Sequence, residues 1–143
     1  MTRHQLPRWL MITIVLVLSP AQADASAGGA IPAQGSVPDM AQKGREYRVA
    51  LIPADTAPAD GVLTELSWHY ELTPGAVMPA AWLCTPSVCE SLSMARGSTD
   101  ALAGLPANTP LSLHFVLPGE GMLKRPVQGG AAQVFINYRM QAQ

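Results

Sequence analysis

Cys84 and Cys89 are the residues of this chain best equipped for chemistry. Two thiols can form a disulfide, bind a metal or cycle between redox states. The C-x4-C spacing is not the C-x-x-C of a redox motif, and zinc would need two further ligands at suitable spacing. Thr85-Pro86-Ser87-Val88 between them suits a short hairpin loop: Pro86 presets a turn φ and Ser87 can bond the local backbone. A disulfide joining the two strand ends across that loop is the expected state, and its main effect would be to pin the register of one hairpin.

Other chemistry is sparse. A hydrolase would need a nucleophile with a base, a paired carboxylate or a metal cluster. There is no G-x-S-x-G elbow, no H-E-x-x-H and no glycine-rich phosphate loop. Beyond His4, the histidines are His69 and His114, each on the polar side of an alternating segment. Solvated strand histidines are the plain expectation; a weak metal or pH-sensitive pair requires the two strands to be neighbours. Glu65 and Glu71 share a face but lie about 20 Å apart at 3.3 Å per strand residue. Glycoside hydrolysis wants about 5 to 9.5 Å between its carboxyl groups, so that pair cannot act together. No catalytic set, metal site or cofactor is expected.

The aromatic residues divide by phase. Trp68, Tyr70, Phe115 and Tyr138 run in step with aliphatic neighbours and are expected in the core. Trp82 is out of step with Ala81 and Leu83. It either covers the hairpin beside the disulfide or anchors a sugar or protein partner.

These side chains need strands to hold them. Val62, Thr64, Leu66, Trp68, Tyr70 and Leu72 alternate with Glu65, Ser67, His69 and Glu71, the pattern of a half-buried antiparallel strand. Tyr47, Val49 and Leu51 alternate likewise. So do Leu111, Leu113, Phe115 and Leu117, and Val134, Ile136 and Tyr138 against Phe135, Asn137 and Arg139. Met78 to Cys84 and Val88 to Leu92 form the two arms of the cysteine hairpin. Pro79 suggests an edge, or a bulge near the start, for Met78–Cys84, and Pro126 restricts Met122–Val127 to an edge. Ser93 to Pro110 reads as irregular, with Leu102 and Leu105 tucked against the core. Gly129-Gly130 reads as a turn. The 13 prolines and 12 glycines punctuate nearly every boundary. About seven short strands and no convincing helix predict an all-β fold: a small antiparallel β-sandwich, with a small β-barrel as the runner-up.

The first 23 residues read differently. Arg3 and Arg8 precede the apolar run Leu10 to Leu18, and Ala21-Gln22-Ala23 offers small residues for cleavage, with Ala23-Asp24-Ala25 as a second choice. The run is shorter than the roughly 20 residues that span a bilayer. A cleaved secretory signal is expected, an uncleaved anchor or core helix being the alternative, and with it a periplasmic location, an oxidising compartment and no stable membrane anchor. Residues 24–44 read mostly as a flexible lead-in, with room for one short strand near its end, and residues 45–143 as the β-sandwich domain. The formal net charge of the whole chain is −1 and both basic side chains of the leader are lost on cleavage, so nothing electrostatic favours nucleic acid or an anionic membrane.

Five blocks, in order, carry a family resemblance. Leu66-Ser67-Trp68-His69-Tyr70-Glu71-Leu72 resembles the W-x-Y-E-L strand of the flagellar FlhE family, and Leu83 to Cys89 its L-C-x4-C hairpin. Pro110-Leu111 with Leu113 and Phe115 is similar to its P-L-x-F segment. Val116 to Gly121 is similar to its V-P-G-G-G turn, with Glu120 in place of a glycine. Gln133 to Arg139 resembles its Q-V-I-V-N-Y-R ending. These blocks cover about Gly61 to Arg139; residues 26–60 match weakly. The resemblance implies a small periplasmic β-sandwich, not an enzyme, that is accessory to flagellum assembly. Its implied partners are basal-body, rod or export-gate proteins, and its implied roles are limiting proton leak or chaperoning exported components. Trp82, Glu120, Asn137 and Arg139 are the candidate binding residues. A carbohydrate- or peptidoglycan-binding module using Trp82 is the alternative reading.

Overall fold

The computed structural model describes residues 27–74 and 76–142. The segment expected to be a signal peptide, and the cleavage sites through Ala25, lie outside the described residues. Ten strands account for most of what is described: β1 Gly28–Ser36, β2 Met40–Gln42, β3 Glu46–Pro53, β4 Gly61–Leu72, β5 Ala80–Cys84, β6 Cys89–Leu92, β7 Arg96–Thr99, β8 Leu111–Val116, β9 Met122–Val127 and β10 Gly129–Met140. The described residues contain no helix.

Eight strands form one antiparallel sheet in the order β6-β5-β8-β3-β1-β10-β4-β7, and β2 pairs with β9 in a small second sheet. β1 matches β10 over its full length, from Gly28↔Arg139 to Ser36↔Ala131, but meets β3 only at Ala33↔Pro53 and Gln34↔Ile52. That short junction divides the large sheet into two four-stranded halves. Tyr70 on β4 and Phe115 on β8 are four strand positions apart, about 19 Å in a flat sheet. Their rings meet edge to face at 5.0 Å. The sheet therefore folds over at the junction and closes on its own apolar face. The all-β expectation holds, and the nearly closed sheet fits both the sandwich and the barrel description.

Alternation decides which side chains enter that interior. Leu66, Trp68, Tyr70, Val134 and Ile136 from one half meet Val49, Leu51, Leu83, Leu113 and Phe115 from the other, and all are buried. Met40 and Val127, paired across the small sheet, add to the same core. The Tyr47 hydroxyl accepts from the backbone N–H groups of Ala41 and Gln42 and so ties the small sheet to β3. The Trp68 ring is fixed at its polar end by a 2.9 Å bond from Nε1 to the carbonyl of Met94. Gly97 lies against that ring so closely that a Cβ there would stand 2.6 Å from an indole carbon.

Several expectations fail for identifiable reasons. Within the expected lead-in, residues 24–44, the described part holds two strands: β1 is an interior strand of the large sheet and β2 a partner of β9. Strand β1 carries glycine where neighbouring side chains press against it. A Cβ at Gly29 would meet the Tyr138 hydroxyl at 2.8 Å, and one at Gly35 would meet Val49 at 2.6 Å. Pro32 is tolerated because the β1–β3 ladder covers only Ala33 and Gln34, next to it. In β4 the alternation skips at Thr64, where a bulge opposite Asn137 and Tyr138 turns Leu63 inward. Thr64 is therefore not a core residue. Gly129-Gly130 opens β10 through a second bulge, so it is not a turn. β5 is flanked by β6 and β8 and is not an edge; Pro79 precedes its first residue. β9 is an edge strand and contains Pro126, as expected. The span 93–110 contains β7 and buries Leu102.

Phe115 is fully buried at the contact between the halves. Phe115→Ala is expected to lower unfolding free energy by about 3–5 kcal/mol, the range for emptying a large aromatic site. Urea unfolding followed by tryptophan fluorescence measures it.

Candidate functional site

The outer surface of the β3–β8–β5–β6 half carries the densest polar arrangement of the molecule's described part. Register places Arg48 beside His114 and His114 beside Trp82, and in the next row Ala50, Ser112, Cys84 and Cys89. Because each of these strands sends alternate residues inward, the intervening positions are forced together on the outside.

Glu46 and Arg48 project from the same side of β3, and the Arg48 Nη2 donates to Glu46 Oε2 at 2.9 Å. The other carboxylate oxygen, Oε1, lies 2.6 Å from His114 Nδ1. A carboxylate can only accept, so Nδ1 carries the proton. In the neutral ring, Nε2 then accepts from the Ser112 hydroxyl, 2.8 Å away. The hydrogen bond from Arg48, followed by that from His114, holds the Glu46 carboxyl below the usual glutamate range. The same bond to Glu46 raises the Arg48 guanidinium.

Ser112, His114 and Glu46 thus stand in the order of a hydrolase relay. The order is not sufficient for acyl transfer. β8 is paired on both sides at Ser112, so its backbone N–H groups belong to the ladders and none is left to receive an oxyanion. Among the described residues no group of three or more His, Cys, Asp or Glu could hold a metal. What the arrangement offers is a polar sheet surface whose groups already satisfy one another.

Two grooves flank His114. One, of about 270 Å³, is bounded by Trp82, Glu46, Val116 and the disulfide. The other, of about 490 Å³, runs past Arg48 and Ser112 to Thr85 and Pro86. The cysteines are bonded and face one another in the β5–β6 register, with Cα atoms 4.0 Å apart. Thr85 closes the loop between them. Its Oγ1 accepts from the N–H groups of Ser87 and Val88, and its own N–H donates to the Val88 carbonyl. The local bonding expected of Ser87 is done by Thr85, which is nearly fully buried.

The candidate binding residues do not converge. Trp82 is half-buried on β5, outward while Ala81 and Leu83 point in. Glu120 is exposed in the turn between β8 and β9, flanked by Gly119 and Gly121 at φ 91° and 88°. Asn137 and Arg139 lie on the outer face of β10, in the other half of the sheet. His69 on β4 and His114 on β8 are likewise in different halves, so they form no pair. Glu46, Arg48 and Ser112 were not singled out from sequence. The available signal was two polar pairs at i, i+2, Glu46/Arg48 and Ser112/His114, which become one cluster only when β3 is known to neighbour β8.

The family model of the flagellar protein FlhE matches residues 37–139, beginning well before the resemblance blocks that start near Gly61. The chain is 31% identical over 135 residues to the flagellar protein FlhE of Salmonella typhimurium, covering 92% of this chain and 98% of that relative. It is 35% identical over 85 residues to the FlhE of Escherichia coli K12, covering 57% and 64% of the two chains. A crystal structure of FlhE superposes with a TM-score of 0.71 at 30% identity, over 79% of this chain and 98% of the other.

Removing the disulfide by Cys84→Ser is expected to cost about 2 kcal/mol, the loop-closure figure for so short a ring, as measured by urea unfolding. The Glu46 carboxyl is expected to titrate below ordinary glutamates by carbon-detected NMR and to move upward in Arg48→Ala. Since its folded value is depressed, whatever Glu46 contributes to stability is present above the ordinary carboxylate range and is lost as pH falls through the depressed value.

Proposed function

The chain belongs to the flagellar protein FlhE family, and from that membership we propose that it works as a non-enzymatic accessory of flagellum assembly in the periplasm. The partner in this reading is an export-gate, rod or basal-body component. It is held in an extended, partly unfolded form, either as a chaperoned cargo or as a segment restrained so that the export path does not leak protons. The leader-like residues 1–23 and a disulfide between the only two cysteines support the compartment.

The observation that carries the mode of binding is the margin of the large sheet. β6 pairs only with β5, so one side of its backbone is free to take an additional strand. The disulfide fixes this short strand in register against β5, which lowers the ordering cost of adding a partner to it. Glu90 lies on this margin, and a charged side chain at a sheet edge discourages pairing with identical copies. The edge expected at Met78–Cys84 is occupied, since β5 lies between β6 and β8, and offers no such surface.

A photo-crosslinker at Ser91 of β6, expressed in a motile host, is expected to trap a rod, basal-body or export-gate protein. A deletion strain should show impaired swarming that the intact gene restores. Normal flagella and swarming in the deletion strain, together with no flagellar protein trapped, would refute the proposal.

A further inference from the structure

The outer face of the other half, β1–β10–β4, differs in kind from the surface around His114. Phe135 is directed outward from the middle of β10 and is 42% exposed. Its cross-strand neighbours are Pro32 on β1 and Ser67 on β4. Pro32 and Phe135 make an apolar strip on this surface. One register step further along, Gln34, Gln133 and His69 lie side by side across the three strands. With Glu71 they line a cleft of about 370 Å³.

The shape of this cleft depends on glycine. A Cβ at Gly130 would stand 3.0 Å from Glu71 Oε2, so the bare backbone of the bulge leaves the carboxylate its position. The chemistry is mixed: two carboxamides that donate and accept, an imidazole, and a carboxylate that accepts. Glu46, His114 and Ser112 are bonded to one another, whereas Gln34, His69, Glu71 and Gln133 form no such pairs among the described residues.

We propose that this face is a binding site for an uncharged β-linked pyranoside chain, with one sugar ring seated on Phe135 and Pro32 and the next held by Gln133, Gln34, His69 and Glu71. A pyranose whose hydroxyls are all equatorial presents a flat C–H face, which matches an exposed ring and proline at the level of a sheet surface. Its neighbouring hydroxyls each donate and accept, which matches side-chain amides beside a carboxylate. The spacing agrees as well: Phe135 and Gln133 are two strand residues apart, about 6.7 Å, the scale of successive rings in a chain. A polyanionic glycan is disfavoured by Glu71 in the cleft and by the chain's net charge of −1. The assignment is independent of the β6 edge, which lies in the opposite half of the sheet, and it is on a different surface from Trp82.

The test is a titration of the ¹⁵N-labelled mature protein with chitotetraose and with cellotetraose, followed through backbone amide shifts. Saturable shifts in β1, β10 and β4 for at least one sugar are expected, with a Kd on the order of 1 mM or tighter. Phe135→Ala and Gln133→Ala should each weaken binding about tenfold or more, while Phe135→Trp, which keeps a ring in place, should retain it. An unchanged amide spectrum apart from the substituted site guards against a folding artefact. No saturable shift up to about 10 mM of either sugar overturns the proposal. So does binding that survives Phe135→Ala but is lost in Trp82→Ala, since that would put the sugar in the groove beside the disulfide.

Discussion

A sheet with one apolar face must cover it, and here the cover is the sheet itself. The two-residue junction between β1 and β3 makes this possible. A long ladder there would hold the eight strands in one continuous twist. Because it is short, the two halves fold together and Tyr70 reaches Phe115. Everything outward-facing follows from that closure. Once alternate side chains are assigned to the interior, Glu46, Arg48, Ser112 and His114 have only the outside to occupy, and Phe135 with Gln133 has only the outside of the other half.

Alternation was legible wherever the strands carried bulky residues in strict phase. Leu111 to Leu117, Val134 to Tyr138 and Leu66 to Leu72 could be sorted into inner and outer positions from sequence, and the buried set agrees except at Leu72 and Tyr138, which are only partly buried. It failed where sterics and not hydrophobicity set the residue type. β1 has glycine at positions pressed against Tyr138 and Val49, so its composition imitates a linker. The bulge at Thr64 is a two-against-one count that only a known partner strand reveals. The disulfide was legible because both its ends lie within one hairpin. The Glu46–His114–Ser112 cluster was not, since it joins residues 68 positions apart and depends on which strand lies beside which.

The two outer faces show why polar residues on a sheet do not all signify the same thing. Around His114, donors and acceptors are matched internally, and the relay order of Ser112, His114 and Glu46 comes without any free backbone donor. Around Phe135 an aromatic ring is left uncovered and the neighbouring polar groups are not paired off. The chain belongs to the FlhE family and aligns over 92% of its length with a flagellar relative.

The lengthwise pairing of residues 28–36 with residues 131–139 has a consequence for biosynthesis. A polypeptide threaded amino end first, through a ribosomal tunnel or any translocation pore, presents β1 first and its mate last. Such a distant contact is slow to form, and the large sheet cannot complete itself until residues 131–139 have emerged. The topology therefore keeps the large sheet open until both strands of the β1–β10 ladder are available.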